Sequence, residues 1–349
     1  MTSAFINGIG TAVPPHDVHA AYRDFMARAL EGRQRVLFER MADRAGIAHR
    51  YSVLRQDGMV EADEAREGFY RRGAYPGTAA RMRAYATHAP ALALRAVEAL
   101  GRPVRDVTHL ILASCTGFIA PGLDQILARN LGLRSDLQRL SIGFMGCSAA
   151  VPALRAAQAI VLAAPVARVL VVNVELCTLH LQETTSLEVA LSFLLFGDGA
   201  AAALVTAEPV GLRLDDFTSA LIPGTAEHIT WLVGDQGFLM HLSGQVPVAI
   251  LRALRDQPGA VLRGEQKIDL WAVHGGGRTV LDAVQAGLGL PEAALVPSRA
   301  VLAAHGNMSS ATVMFVLAGM LRSAATGQLG LAMAFGPGMV AETFRFAVS

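Results

Sequence analysis

Two stretches decide how this chain folds: FMGCSAAVPALRAAQ at residues 144–158 and AHGNMSSATVMFVLA at residues 304–318. Each has a glycine and a polar or reactive side chain, Gly146-Cys147 in one and Gly306-Asn307 in the other, leading into an apolar helix. The two corners lie 160 residues apart, and other landmarks repeat around them in the same order. The strand end VTHLILASCTGF carries Cys115, and 159 residues later the strand end IDLWAVHGGG carries His274. LFGDGAAAALV and AFGPGMVAETF both run Phe-Gly-x-Gly into a strand, offset by 139 residues. Glycine at strand–helix corners is common in its own right, but three ordered pairs indicate a pseudo-duplicated chain. Apolar β-branched runs at 107–113, 140–142, 169–174, 201–205, 270–273 and 341–348 alternate with helical patterns at 89–100, 123–131, 148–162, 246–256, 279–288 and 308–323. This alternation predicts an α/β fold whose central strands are buried on both faces.

Composition narrows the function classes. Of the 349 residues, 52% are hydrophobic and only 17% charged, which suits a large core and excludes a disordered chain. The net charge of +1, without a basic run, argues against nucleic acid or an anionic membrane surface as partner. The most apolar stretch, residues 156–174, contains Gln158, Pro165, Arg168 and Asn173, so no membrane span is expected. The N-terminus lacks a basic and then apolar leader pattern. Three cysteines, Cys115, Cys147 and Cys177, are an odd number without metal spacing, and suggest a reducing, cytoplasmic setting. The Arg-rich stretch 66–83 reads as a solvated surface segment.

The chemistry centres on three residues. Cys147 opens a helix, where the macrodipole favours a thiolate, although a single cysteine reads equally as a small buried hydrophobe. His274 stands at a strand's carboxyl end before three glycines, where α/β sheets place their sites or where a structural histidine can sit. Asn307, at another loop-to-helix corner, reads as a ligand contact or as a helix cap. The repeat brings Asn307 to the position equivalent to Cys147, with His274 at the neighbouring strand end. A Cys–His pair can form thiolate and imidazolium, and His with Asn can aim two N–H donors at one oxyanion.

With GFMGCSAAVPALR, LFGDGAAAALV, AVHGGGRTVLDAV, HGNMSSATVMFVL and AFGPG in order, the chain resembles the type III polyketide synthases, the chalcone synthase-like enzymes. The resemblance spans nearly the whole length, from ADRAGIAHRYSVL onward. It implies a thiolase-like five-layered αβαβα sandwich of two halves, 1–207 carrying Cys147 and 208–349 carrying His274 and Asn307. It further implies a homodimer without cofactor, acting on CoA thioesters: Cys147 loads an acyl-CoA starter, while His274 and Asn307 stabilise the enolate from malonyl-CoA decarboxylation. The product after cyclisation is expected to be an alkylpyrone or alkylresorcinol from a fatty acyl-CoA; a malonyl-only product such as tetrahydroxynaphthalene stays open.

By the same resemblance Phe196 is the gatekeeper aromatic. Cys115, Thr116, Cys177, His180, Met240 and Ser309 match cavity positions, with His180 replacing a usually small polar residue, so that it could narrow the cavity or assist cyclisation. Arg40 and Arg44 match two of three cations that hold CoA phosphates; Leu37 occupies the third place. HGGGR departs from the usual His-Pro-Gly-Gly, and Ala120 stands where plant relatives have a methionine reaching the partner's cavity. Two rival readings share these features: a ketoacyl-acyl-carrier-protein synthase III-like enzyme, and a catalytically silent acyl-binding partner subunit. GNMSSATV and AFGPG favour the polyketide enzyme over the first, and the complete triad argues against the second. A papain-like hydrolase has the order Cys, His, Asn but leaves the internal repeat unexplained.

Overall fold

The structure, a computed structural model, describes residues 2–55, 68–262 and 267–349. The chain opens with β1 (Phe5–Ala12), β2 (His16–Asp17), α1 (His19–Ala29), α2 (Gly32–Arg44) and β3 (Tyr51–Ser52). Next come α3 (Thr78–Glu98), β4 (His109–Ser114), α4 (Leu123–Asn130), β5 (Gln138–Gly143), α5 (Ala150–Ala163), β6 (Val169–Leu176), α6 (Leu187–Leu195) and β7 (Asp198–Thr206). Then β8 (Leu212–Leu221) precedes a hairpin, β9 (Ile229–Gly234) and β10 (Gly237–Leu242), followed by α7 (Val246–Asp256) and α8 (Pro258–Val261). The chain closes with β11 (Leu270–Val273), α9 (Arg278–Leu288), α10 (Val296–His305), α11 (Ala311–Ser323), β12 (Leu329–Gly336) and β13 (Val340–Val348).

The strands hydrogen-bond in the series β5-β4-β6-β7-β1-β8-β13-β12-β11, and β1 meets β8 through only two residue pairs. Either side of that seam the pattern is the same. Along β1-β7-β6-β4 the pairings run antiparallel, antiparallel, parallel. Along β8-β13-β12-β11 they run in the same sequence. The duplication read from three landmarks is therefore a duplication of topology, with β5 an additional parallel edge strand in the first half.

Strand alternation sorts side chains into separate cores. Leu110, Leu112, Leu170, Val172, Ala202 and Leu204 point outward against α3 and its neighbours, while Ile111, Ala113, Val169, Val171, Ala201 and Ala203 point inward. The inward core also takes in α5, α11 and the Ala332, Ala334, Phe344 and Phe346 face of the second half. Leu331, Met333, Phe335, Trp271 and Val273 face outward against α7, α9 and α10. The result is the expected αβαβα sandwich, with α5 and α11 between the sheets. Each fully buried Val, Leu or Phe here contributes about 1.5–3 kcal/mol, and the small alanines of β7 let the helices approach closely.

Among the described residues, only the run Gly146–Ala163 is long and apolar enough to cross a membrane, and half of it is buried inside the protein. The expectation for the Arg-rich stretch holds at Arg71, Arg72 and Arg83, which are exposed, and is corrected at Arg81. Residues 66–67 lie outside the described residues, and within the remainder Arg81 is completely buried. Its guanidinium donates to the carbonyls of Pro76, Leu179 and Leu181 (2.9, 2.6 and 2.9 Å), so α3 begins at Thr78 and carries this cation into the core.

Candidate active site

Both halves build the turn that bears Cys147. Gly146–Ser148 forms a short 3-10 turn ahead of α5. Gly146 has φ +58°, and a Cβ there would collide with Pro337 of the second Phe-Gly-x-Gly turn. The first such turn reciprocates. The Gly197 N–H donates to Asn307 O (3.0 Å) and the Asn307 N–H to Leu195 O (2.8 Å), pairing Phe196 with Asn307 as an isolated parallel bridge. Each Phe-Gly-x-Gly turn thus packs on the helix corner of the opposite half. That exchange brings Cys147 Sγ to 3.9 Å from Asn307 Oδ1.

These corners face one cavity of about 960 Å³. Of the residues expected from sequence, Cys147, His274, Asn307, Phe196, Cys115, Thr116, Cys177, Met240, Ser309 and Arg44 all line it. Two expected residues do not. Arg40 is exposed one helical turn away from Arg44, outside the lining. His180 is wholly buried behind the wall: its Nε2 donates to Thr116 O (2.8 Å) and its Nδ1 accepts from the Phe238 N–H (3.0 Å). Its ring stacks on Phe238 at 4.3 Å and 12°. With both nitrogens engaged it has no atom to offer a substrate.

His274 presents the opposite case. It is 2% exposed, yet neither ring nitrogen has a partner among the described residues. Burial pulls its pKa down to about 4, so the imidazole is neutral, with one donor and one acceptor nitrogen. Asn307 Nδ2 donates to Gly276 O (3.2 Å) and Oδ1 accepts from the Ser309 N–H (2.8 Å). An amide NH₂ has two hydrogens, so one remains for a ligand. Burial pushes the Cys147 thiol up to about 11, with Ser309 acting in the opposite sense. Burial thus opposes the thiolate that the helix terminus favours.

Three residues escaped the sequence reading. Glu175 is fully buried in β6 and accepts from the Cys115 N–H (3.0 Å), the Thr116 hydroxyl (2.9 Å) and the Ser310 hydroxyl (2.6 Å). Burial pushes it up to about 7, and it fixes the two strand-end residues beside Cys147. A lone carboxylate in VLVVNVEL is a visible signal. Trp231 lines the cavity and donates its indole N–H to Cys115 O (2.8 Å), pinning the β9–β10 hairpin over it. Arg278, which follows the three glycines, lines the cavity with Arg44 and donates to the Arg44 carbonyl (3.3 Å). Leu187, Leu191 and Leu194 of α6, with Val246 and Ile250 of α7, make much of the remaining wall apolar.

Comparison with known proteins matches this arrangement. The family model "Chalcone and stilbene synthases, N-terminal domain" matches residues 1–209, and the corresponding C-terminal domain model matches residues 214–348. The alpha-pyrone synthesis polyketide synthase-like Pks18 of Mycobacterium tuberculosis is 32% identical, over 99% of this chain and 92% of that protein. Bisdemethoxycurcumin synthase of Oryza sativa subsp. japonica is 35% identical, over 97% of this chain and 91% of its own length. The crystal structure of 1,3,6,8-tetrahydroxynaphthalene synthase from Streptomyces coelicolor, a bacterial type III polyketide synthase, superposes with TM-score 0.86 and 28% identity, covering 99% of both chains.

Proposed function

The chain belongs to the chalcone and stilbene synthase family, the type III polyketide synthases, and from that membership we propose how its cavity divides the work. The family's reaction is acyl transfer from CoA thioesters with decarboxylative condensation of malonyl-CoA. In the loading step the Cys147 sulfur attacks the thioester carbon of the starter, its proton passes to His274, and that proton leaves with the CoA thiol. In the extension step the malonyl thioester carbonyl accepts from the His274 N–H and from the spare Asn307 N–H. Carbon dioxide departs, the electron pair moves onto that oxygen as an enolate, and the two donors hold the charge. The enolate carbon then attacks the Cys147 thioester, the C–S bond breaks, and the extended chain resides on CoA until it is reloaded or cyclises. A neutral imidazole suits both steps, since it can accept the thiol proton and donate to the enolate.

CoA thioesters are the only organic partners this scheme needs, with no resident cofactor. Arg44 and Arg278, one from each half, are proposed as the cations that meet CoA phosphates, Arg278 taking the place left by Leu37. The single observation that carries the scheme is the pair of unpartnered His274 nitrogens beside Cys147 and Asn307 in one cavity. For the product we favour alkylpyrones from medium- or long-chain starters, supported by the apolar α6–α7 wall and by the name of the mycobacterial relative. A homodimer is supported by the exposed edge strand β5 and by Phe118, Leu140 and Met145 open beside it. The halves 1–207 and 208–349 are supported by the repeated strand order, and a reducing, cytoplasmic setting by three free cysteines.

Purified protein incubated with malonyl-CoA and acyl-CoA starters of graded length tests the scheme by product mass. Pyrone-mass products from long starters are expected. Products from malonyl-CoA alone would overturn the fatty-starter reading, and no condensation with any starter would overturn the enzyme assignment.

A further inference from the structure

Arg50 is a buried cation that the reaction above does not use. It is 2% exposed and reaches the C-terminal end of α6 from the segment after α2. Its Nη1 donates to the Phe193 carbonyl (2.9 Å) and to the carbonyl of Phe196 itself (2.6 Å), and its Nε donates to His19 Nδ1 (3.0 Å). The guanidinium lies 4.8 Å from the centre of the Tyr22 ring, and the Tyr22 hydroxyl donates to Ala190 O (2.8 Å), also on α6. The knot is tight on its far side too: a Cβ on Gly306 would stand 2.7 Å from Arg50 Cγ and 2.8 Å from Leu195 O. Beyond Gly306 comes Asn307, whose backbone is bridged to Phe196.

Desolvating a guanidinium is costly, and burial pulls its pKa down to about 10. An apolar side chain would fill this space without that cost. What the cation adds is two carbonyl positions fixed by a rigid planar fork, one of them on the gate. We propose that Arg50 is a positioning residue for the gate: it holds the Phe196 backbone against Asn307, and so holds the enolate-binding amide in register with Cys147. The inference rests on the roles proposed above for Cys147 and Asn307 and on the gatekeeper role that the family resemblance implies for Phe196. Loss of the clamp lets decarboxylation proceed while the enolate misses the acyl thioester and is quenched by a proton to acetyl-CoA.

The test measures two rates in the same reaction, with malonyl-CoA and lauroyl-CoA: release of carbon dioxide and formation of condensed product. Arg50→Met should raise the ratio of decarboxylation to condensation about ten- to a hundredfold, because small misplacements of reacting groups cost that much. Arg50→Lys should raise it less, with the KM for malonyl-CoA little changed. In a cycle with Phe196→Leu the two effects should not add, because both act through one gate. If condensation and decarboxylation fall in parallel, or the cycle is additive, Arg50 is a packing residue and the proposal is overturned. Should Arg50→Met fail to fold, Arg50→Lys and its cycle decide by the same ratio. A wild-type protein that condenses nothing overturns the functional reading itself, a separate outcome.

Discussion

Two histidines in this molecule have the same burial and opposite meaning. His180 and His274 are each at most 2% exposed, and burial pulls both down to about 4, so both are neutral. His180 spends both nitrogens on main-chain partners and ties the Thr116 strand end to the β9–β10 hairpin. His274 spends neither, and lines the cavity beside Cys147 and Asn307. Depressed basicity alone therefore does not mark a site. An unsatisfied, buried polar group costs stability, and it persists where a substrate is to supply the missing partner. What sets His274 apart from His180, and from other buried unpartnered groups such as the Asn173 amide, is that its free nitrogens belong to a residue lining the cavity.

Substitutions can break this contrast in a predictable order. The largest effect belongs to His274→Gln, which removes the base and alters one enolate donor. Condensation should fall about 10³-fold or more, with Tm nearly unchanged, by steady-state kinetics and thermal melting. The same variant should also slow iodoacetamide labelling of Cys147 at neutral pH. Asn307→Ala removes one donor and should lower kcat by about 10²- to 10³-fold.

His180→Phe reverses the pattern. Two main-chain groups lose their partners, which should cost about 2–4 kcal/mol of stability, read by denaturant melts, while starter preference changes little. Its pH dependence has a definite sign. The folded imidazole titrates near 4 and the unfolded one near 6.5, so below 6.5 the unfolded chain binds more protons. Wild type loses that part of its stability as pH falls from about 6.5 through about 4, and the Phe variant does not. The stability gap between them should narrow on acidification; a gap that widens contradicts a neutral His180. Smallest is the effect of Arg44→Ala or Arg278→Ala. Exposed cations at the cavity's open side should raise the KM for CoA thioesters about threefold each, an effect that fades with added salt.

Much of the fold was legible because its strands are continuous apolar runs and its corners repeat. The strands at 169–174 and 270–273 and the helix at 246–256 fall on β6, β11 and α7. β1 and β12 were less visible, since FINGIGTA and LGLAMAFG interrupt the pattern with glycines. Gly10 is there because α3 presses its backbone against the strand, leaving no room for a Cβ. The triad was legible from residue type at equivalent corners. What a sequence does not display is which way a ring faces: His180 closes the 3-10 turn after β6 and His274 directly follows β11, and only the fold shows that the first is spent on the main chain and the second is not. Arg50, Arg81 and Glu175 were missed for a related reason. Charges read as solvated until main-chain carbonyls or hydroxyls are seen around them.

In the proposed scheme one cavity separates two tasks, acyl loading on Cys147 and enolate formation at His274 and Asn307. The direct measurement is carbon dioxide release from malonyl-CoA by Cys147→Ala and by His274→Gln, each beside wild type. Cys147→Ala should form no condensed product yet still release carbon dioxide, while His274→Gln should lose both. A Cys147→Ala variant that still condenses, or a His274→Gln variant that decarboxylates at the wild-type rate, contradicts the scheme.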